Sequence, residues 1–96
     1  MAGATRLGDN STGHDGCGGV PLVTASPNVN INGKGAGRIT DQYASHGCLV
    51  HAPHQDSINA GSSTVFINGL KAARIGDAVV LGGSVAEGSG DVFIGG

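Results

Sequence analysis

The most constraining feature of this 96-residue chain is that it repeats itself. Ser26-Pro27-Asn28-Val29-Asn30-Ile31-Asn32-Gly33 returns as Ser62-Ser63-Thr64-Val65-Phe66-Ile67-Asn68-Gly69, and again as Ser89-Gly90-Asp91-Val92-Phe93-Ile94-Gly95-Gly96. A second unit, Ala-x-Arg-x-x-Asp, stands at 4–9, 36–41 and 72–77 and takes up all three arginines. Repetition of this kind decides a fold before local propensity does. From the repeat Ser to the repeat Arg is 12 residues in both uninterrupted copies, 26 to 38 and 62 to 74. From Arg to the next Ser the step is 20, 24 and 15 residues. A rigid unit therefore alternates with loops of variable length.

The rigid unit predicts a β-hairpin. Val-x-Ile alternates like a strand, and Asn-Gly supplies the positive φ angles of a two-residue type I′ turn. Alternation puts Val29 with Ile31, Val65 with Ile67 and Val92 with Ile94 on the inward face. Leu7, Ile39 and Ile75 are the apolar positions of the return strand. Arg-x-x-Asp is either an exposed ion pair of small energetic worth or a ring of clamps that fixes loop geometry. The third hairpin runs out at Gly95-Gly96, and its return strand stands at the other end of the chain, at 4–9. One repeat split between the termini implies a closed ring of three units, with pseudo-threefold symmetry and the first and last segments paired. Closure removes exposed sheet edges, whereas an open solenoid would need caps. The expected fold is all-β: a small closed structure of three hairpin repeats, one domain over 1–96.

Such a ring has little bulk to fill it. Glycine supplies 19 residues, and the aromatics are Tyr43, Phe66 and Phe93 alone. A domain this small buries a modest fraction of its surface, so backbone regularity, a metal or a partner must help hold it. Glycine does not fall at every third position, which excludes collagen. No apolar run approaches the roughly 18 residues of a membrane span, and the N-terminus lacks the apolar core of a signal peptide. Synthesis in the cytoplasm, with reduced thiols and no stable membrane anchoring, is expected. Five cations against seven anions, net −2, do not make the basic patch of a nucleic-acid binder. Low charge with ordinary hydrophobicity argues against disorder.

The loops hold the reactive side chains. His14 and Cys17 lie in the first, His46, Cys48, His51 and His54 in the second, and the third has neither type. His14 and His46 each stand five residues past a repeat Asp, at Asp9 and Asp41. They therefore occupy equivalent positions on two arms. His46-x-Cys48-x-x-His51-x-x-His54 has the short spacings of a tetrahedral zinc site, and His14 can complete it from across the ring. Solvated loop histidines and a Cys17–Cys48 disulfide are the alternatives. Six candidate ligands confined to two loops favour one structural zinc ion. The expected ligands are His14, His46, Cys48 and His51, with His54 and Cys17 in reserve. An enzyme is not expected. There is no His-Glu-x-x-His, and Glu87, the one glutamate, lies in the loop without ligands. Asp15, Asp56 or a Cys48–His pair would have to serve as base or nucleophile, in no recognised arrangement.

These motifs together resemble the PAAR-repeat proteins. The nearest stretch to Pro-Ala-Ala-Arg is Lys71-Ala72-Ala73-Arg74, and the eponymous proline is absent from all three copies. The resemblance covers essentially the whole chain. It implies a small cone that caps the trimeric β-helical spike of a type VI secretion system, or tips a contractile phage tail. It implies a zinc site of three His and one Cys that pins the apex, and a base that presents Val, Ile and backbone edges to the spike. It assigns no individual residue to spike contact. The implied task is mechanical: a stiff, narrow point, assembled on the spike in the bacterial cytoplasm, punctures a membrane and is ejected toward the target cell. Docked effector proteins would travel with it. Many relatives carry toxin domains, whereas this sequence, starting at Met1 and stopping at Gly96, is expected to be a stand-alone tip.

Two other functions compete. A small zinc-dependent enzyme would keep an exchangeable water on its metal. A calcium- or carbohydrate-binding β module would gather oxygen ligands from Asp9, Asp41 and Asp77.

Overall fold

Asn32-Gly33 and Asn68-Gly69 turn the chain with φ angles of 54° and 80°, and of 55° and 78°. Asparagine tolerates this left-handed region and glycine has no Cβ to oppose it, so each pair closes a two-residue hairpin. A computed structural model describes residues 1–13, 18–48, 51–80 and 82–96, with 46–48 and 51–54 described as backbone. The described residues form eight short strands and no helix: β1 (Ala2–Gly3), β2 (Asn30–Ile31), β3 (Lys34–Gly35), β4 (His46–Cys48), β5 (His51–His54), β6 (Phe66–Ile67), β7 (Leu70–Lys71) and β8 (Phe93–Ile94). The pairs are antiparallel: β2 with β3, β6 with β7, β4 with β5, and β1 with β8. The last pair joins the two ends of the chain, Ala2 opposite Ile94 and Gly3 opposite Phe93. The split repeat is thus completed by the N-terminal segment, as its sequence demands.

Each hairpin opens on its repeat serine. The Ser26, Ser62 and Ser89 hydroxyls accept the amides of Val29, Val65 and Val92, each at 2.9 Å. Side-chain bonds of this local kind set the direction of a short strand. The serine amides in turn donate to the carbonyls of Ala36, Ala72 and Ala4.

Two-residue strands cannot stand alone, and the repeats lend each other their bonds. Thr5 donates its amide to the Ala73 carbonyl at 3.1 Å, Ala73 to Gly37 at 3.1 Å, and Gly37 back to Thr5 at 2.9 Å. Flanking bridges join Arg6 to Ala36, Arg38 to Ala72 and Arg74 to Ala4. A second set of bridges pairs Ser11 with Val85, Tyr43 with Leu22 and Val79 with Ile58. The hairpin tips are tied as well. Asn68 donates to Asn28 at 2.8 Å, Asn32 to Asp91 at 2.9 Å, and the Ser62 hydroxyl to the Gly95 carbonyl at 2.6 Å. The bonds from Asn32, and then from Ser89, hold the Asp91 carboxyl below its ordinary pKa.

Among the described residues two apolar clusters result. One joins Ile31, Ile67 and Ile94 to Ala4, Ala36 and Ala72. The other joins Leu22, Ile58 and Val85 to Tyr43, Val79 and Ala73. The inward face is narrower than alternation alone predicts. The three isoleucines are 7–8% exposed, but Val29, Val65 and Val92 are 36–38% exposed, at the rim. The whole molecule measures 37 × 23 × 23 Å.

Small residues in one copy accommodate large ones in another. A Cβ on Gly37 would come within 2.6 Å of the Thr5 Cγ2 and 3.0 Å of the Leu22 Cδ2. Tyr43, wholly buried, is the largest core side chain among the described residues, and its phenolic oxygen has no hydrogen-bond partner among them. Burial, with the Asp9 carboxylate adding to it, pushes the phenol well above its ordinary pKa of 10.0. An orphaned buried hydroxyl costs about 1–3 kcal/mol, so Tyr43→Phe should preserve stability or raise it by about 1 kcal/mol in urea unfolding. The folded-state pKa exceeds the unfolded one, so the neutral phenol's contribution is complete below the unfolded value. It is lost as pH rises, because the unfolded chain ionises first, from about pH 10 upward. Tyr43→Phe should remove that alkaline loss; an unchanged pH profile would place its origin elsewhere.

Candidate functional site

The loop with most candidate ligands leaves the scaffold through a tight turn, Arg38-Ile39-Thr40-Asp41. The Asp41 amide donates to the Arg38 carbonyl at 3.1 Å, and Thr40 takes a φ of 74°. The matching turns put Gly8 and Gly76 at that place, with φ of 91° and 93°. A turn that needs positive φ at its third residue selects glycine. A β-branched residue there is strained. Backbone bonds hold it: the Thr40 amide donates to Ile58 at 2.7 Å, and the Ile58 amide to Asp41 at 3.0 Å.

Each turn is locked by its own ion pair. Arg38 Nε meets Asp41 Oδ2 at 2.9 Å and Nη2 meets Oδ1 at 2.9 Å, while the Arg38 amide also donates to Oδ2 at 2.8 Å. Arg6 with Asp9 and Arg74 with Asp77 repeat the arrangement. The remaining Nη1 reaches the neighbouring hairpin tip: Arg6 to Asn32 at 2.9 Å, Arg38 to Asn68 at 3.0 Å, and Arg74 to the Gly95 carbonyl at 3.0 Å. The aspartate hydrogen bond raises each guanidinium pKa, against the lowering effect of burial. These are clamps rather than exposed pairs: the Arg38 and Asp41 side chains are 14% and 4% exposed. The three aspartates are spent on their arginines. Among the described residues no three His, Cys, Asp or Glu side chains gather, so the oxygen-rich site of a calcium module finds no support there.

Beyond Asp41 the chain runs into β4 and returns as β5. His46 lies opposite His54, and Cys48 opposite His51. Between these pairs β4 advances two residues and β5 three, so the ladder carries a β-bulge. Without it the three-residue step from 51 to 54 could not meet the two-residue step from 46 to 48. All four Cys and His residues of this loop therefore hold paired register positions, and His54 stands level with the expected ligands. His14, Asp15 and Cys17 lie outside the described residues. Of the other carboxylates, Asp56 is buried, and Glu87 accepts the Asn10 amide at 2.8 Å. Spacing alone did not reveal the bulge or the strain at Thr40, although Thr at the place of Gly8 and Gly76 was a visible signal for the latter.

Two substitutions measure how firmly this turn is set. Thr40→Gly removes the strained Cβ at some cost in chain entropy. It should raise stability by about 1 kcal/mol, and Thr40→Ala by less, read from urea midpoints at constant slope. Asp41→Asn keeps the shape but leaves Arg38 without its counter-charge. It should cost about 3 kcal/mol, as for a largely buried pair; a loss below about 1 kcal/mol would return the pair to the surface class.

The PAAR motif model matches residues 7–87 and again 54–96. Among curated relatives, "Double-stranded DNA deaminase toxin A" of Burkholderia cenocepacia is 35% identical over 72 residues, 75% of this chain and 5% of the toxin. "NAD(P)(+) glycohydrolase toxin Tse6" of Pseudomonas aeruginosa is 40% identical over 81 residues, 78% of this chain and 19% of the toxin. "(p)ppApp synthetase toxin Tas1" of Pseudomonas aeruginosa strain UCBPP-PA14 is 40% identical over 81 residues, 78% of this chain and 18% of the toxin. The chain thus spans between 5% and 19% of the length of these relatives. With the motif matched over most of its length and its repeats hydrogen-bonded to one another in a cycle, the chain belongs to the PAAR-motif family.

Proposed function

We propose that this protein is the tip of a contractile injection machine of the type VI secretion kind. It caps and sharpens a trimeric β-helical spike, helps it puncture a membrane and carries effectors on the point. The observation that carries this reading is the triangle of amide bonds among Thr5, Gly37 and Ala73. Three repeats bonded in such a cycle support a reading in which one chain offers three similar faces to an end that has true threefold symmetry. The long axis of 37 Å over a 23 × 23 Å section suits a narrow, conical point. The tip of a contractile phage tail would use the same geometry.

The relatives support a carrier role over a catalytic one. Their names carry three different chemistries, a deaminase, a glycohydrolase and a synthetase, yet they share this segment. A segment common to toxins of unlike chemistry supports a shared role in delivery rather than a part in any one reaction. In this reading the chain has no activity of its own. It is made in the bacterial cytoplasm, assembles on the spike and leaves with it.

One structural zinc ion completes the apex. Imidazole and thiolate donors suit tetrahedral zinc, and the register of β4 with β5 brings His46, Cys48, His51 and His54 to facing positions. His14, His46, Cys48 and His51 are the proposed ligands, with His54 and Cys17 the alternates. When bound, zinc ties loops that the sparse core cannot hold by itself.

The direct test of tip function is co-elution with the purified trimeric spike of the same bacterium, at one chain per trimer. Failure to bind would sink the spike reading. Zinc should be present at about one per chain by elemental analysis, and because metal binding is coupled to folding, Cys48→Ala should lower metal content and melting temperature together. Unchanged zinc in that variant would move the thiolate to Cys17.

A further inference from the structure

The chain contains three aromatic residues and buries only one, Tyr43. Phe66 and Phe93 are 55% and 51% exposed. In a molecule whose core is built from Ala, Val, Ile and Leu, leaving both phenylalanines outside is costly unless something covers them. They occupy one register position on two hairpins. Phe66 precedes buried Ile67 and faces Lys71 across the ladder; Phe93 precedes buried Ile94 and faces Gly3. On the third hairpin the same position, before buried Ile31 and opposite Gly35, belongs to exposed Asn30.

The step that carries one hairpin to the next therefore carries Phe66 to Phe93 and then to Asn30. A partner that touches both phenylalanines in the same way must present the same surface twice. A symmetric oligomer does this without further invention, and a trimer does it three times. The valine that precedes this position is alike in exposure on all three hairpins, so the surroundings of the variable residue repeat. The variable position gives it two aromatic anchors and one amide. Buried aromatics dominate binding at interfaces.

We infer that Phe66 and Phe93 are the anchors that seat this tip on its trimeric spike, each entering an equivalent apolar recess on one spike chain, while Asn30 faces the third recess and leaves it unfilled. This rests on the spike reading above and adds to it the residues and a two-to-one asymmetry.

The test uses a purified trimeric β-helical spike protein from the same bacterium, immobilised by its distal end, with the full chain as analyte. Burying one phenylalanine corresponds to roughly 10- to 100-fold in affinity. Phe66→Asn and Phe93→Asn should each weaken binding by about that factor, and the double variant by more than 100-fold on the same scale. Melting temperatures and zinc content should stay at wild-type values, because both side chains are exposed. Asn30→Phe should tighten binding, by up to about 10-fold, by filling the third recess. Wild-type affinity in the double variant, with the wild type itself bound to the spike, would overturn the anchors and leave the spike reading intact. Weaker binding by Asn30→Phe would overturn the equivalence of the three recesses. A wild-type chain that dimerises through these phenylalanines, and a double variant that is monomeric with spike affinity unchanged, would assign the patch to self-association. No binding by the wild type would remove the spike reading and this inference together.

Discussion

Three amide hydrogen bonds hold the rest of this molecule in place: Thr5 to Ala73, Ala73 to Gly37 and Gly37 to Thr5. A hairpin with two residues per strand has too little pairing and too little apolar surface to persist by itself. Here each return segment pairs outward with its hairpin and inward with its neighbours. The local element and the long-range contact therefore stabilise each other. Because the third hairpin is closed by β1, the cycle also binds the two ends of the chain, and fraying of either terminus is opposed by the whole ring. The clamps extend the same constraint into the turns. Each arginine fixes its own Arg-x-x-Asp turn with two nitrogens and reaches the next hairpin with the third.

The backbone repeats more faithfully than the side chains do. Where the three return segments meet, the residues are Thr5, Gly37 and Ala73, and the absent Cβ of Gly37 makes room for the Thr5 methyl. One tier further on they are Ser11, Tyr43 and Val79, with a phenol in one copy and a hydroxymethyl in another. Where segments approach as closely as Thr5 and Gly37 do, three identical large residues would collide, and three identical small ones would leave a void. Divergence among copies is how a single chain fills a frame built from repeats. The glycine excess has the same origin in part, since Gly37 is required by close approach and Gly8, Gly33, Gly69 and Gly76 by positive φ.

Much of the frame was legible from the amino-acid order because the repeat residues act on the backbone. Asn-Gly, the repeat Ser and Arg-x-x-Asp each specify a turn or a bond, so their recurrence read as recurrence of structure, including the split third copy. The clamp was visible only as an alternative. The spacing of Arg and Asp does not state how far the pair is buried, and burial decides its worth. The rim position of Val29, Val65 and Val92 was not legible, since strand alternation gives the side of a residue but not where the core ends. At the candidate metal loop the residue types and spacing showed a donor set. The bulge that aligns Cys48 with His51 and His46 with His54 is a property of pairing, which no single strand declares.

A division of labour follows from which positions the scaffold consults. Where a side chain bonds to the frame, the copies agree: Ser26, Ser62 and Ser89, and the three Arg–Asp pairs. Where they disagree at such a place, the bond survives by substitution. The Gly95 carbonyl receives Arg74 where Asn32 and Asn68 offer side-chain oxygens, and backbone bonds hold Thr40 where glycine stands elsewhere. The positions left free to differ are the outward residue of each hairpin and the loops after each clamp. Those carry Asn30, Phe66 and Phe93 at one level, and at the other the Cys and His residues, confined to the two longer loops. The frame repeats and the surface does not, so the residues that hold the fold are separate from those left free to make contacts.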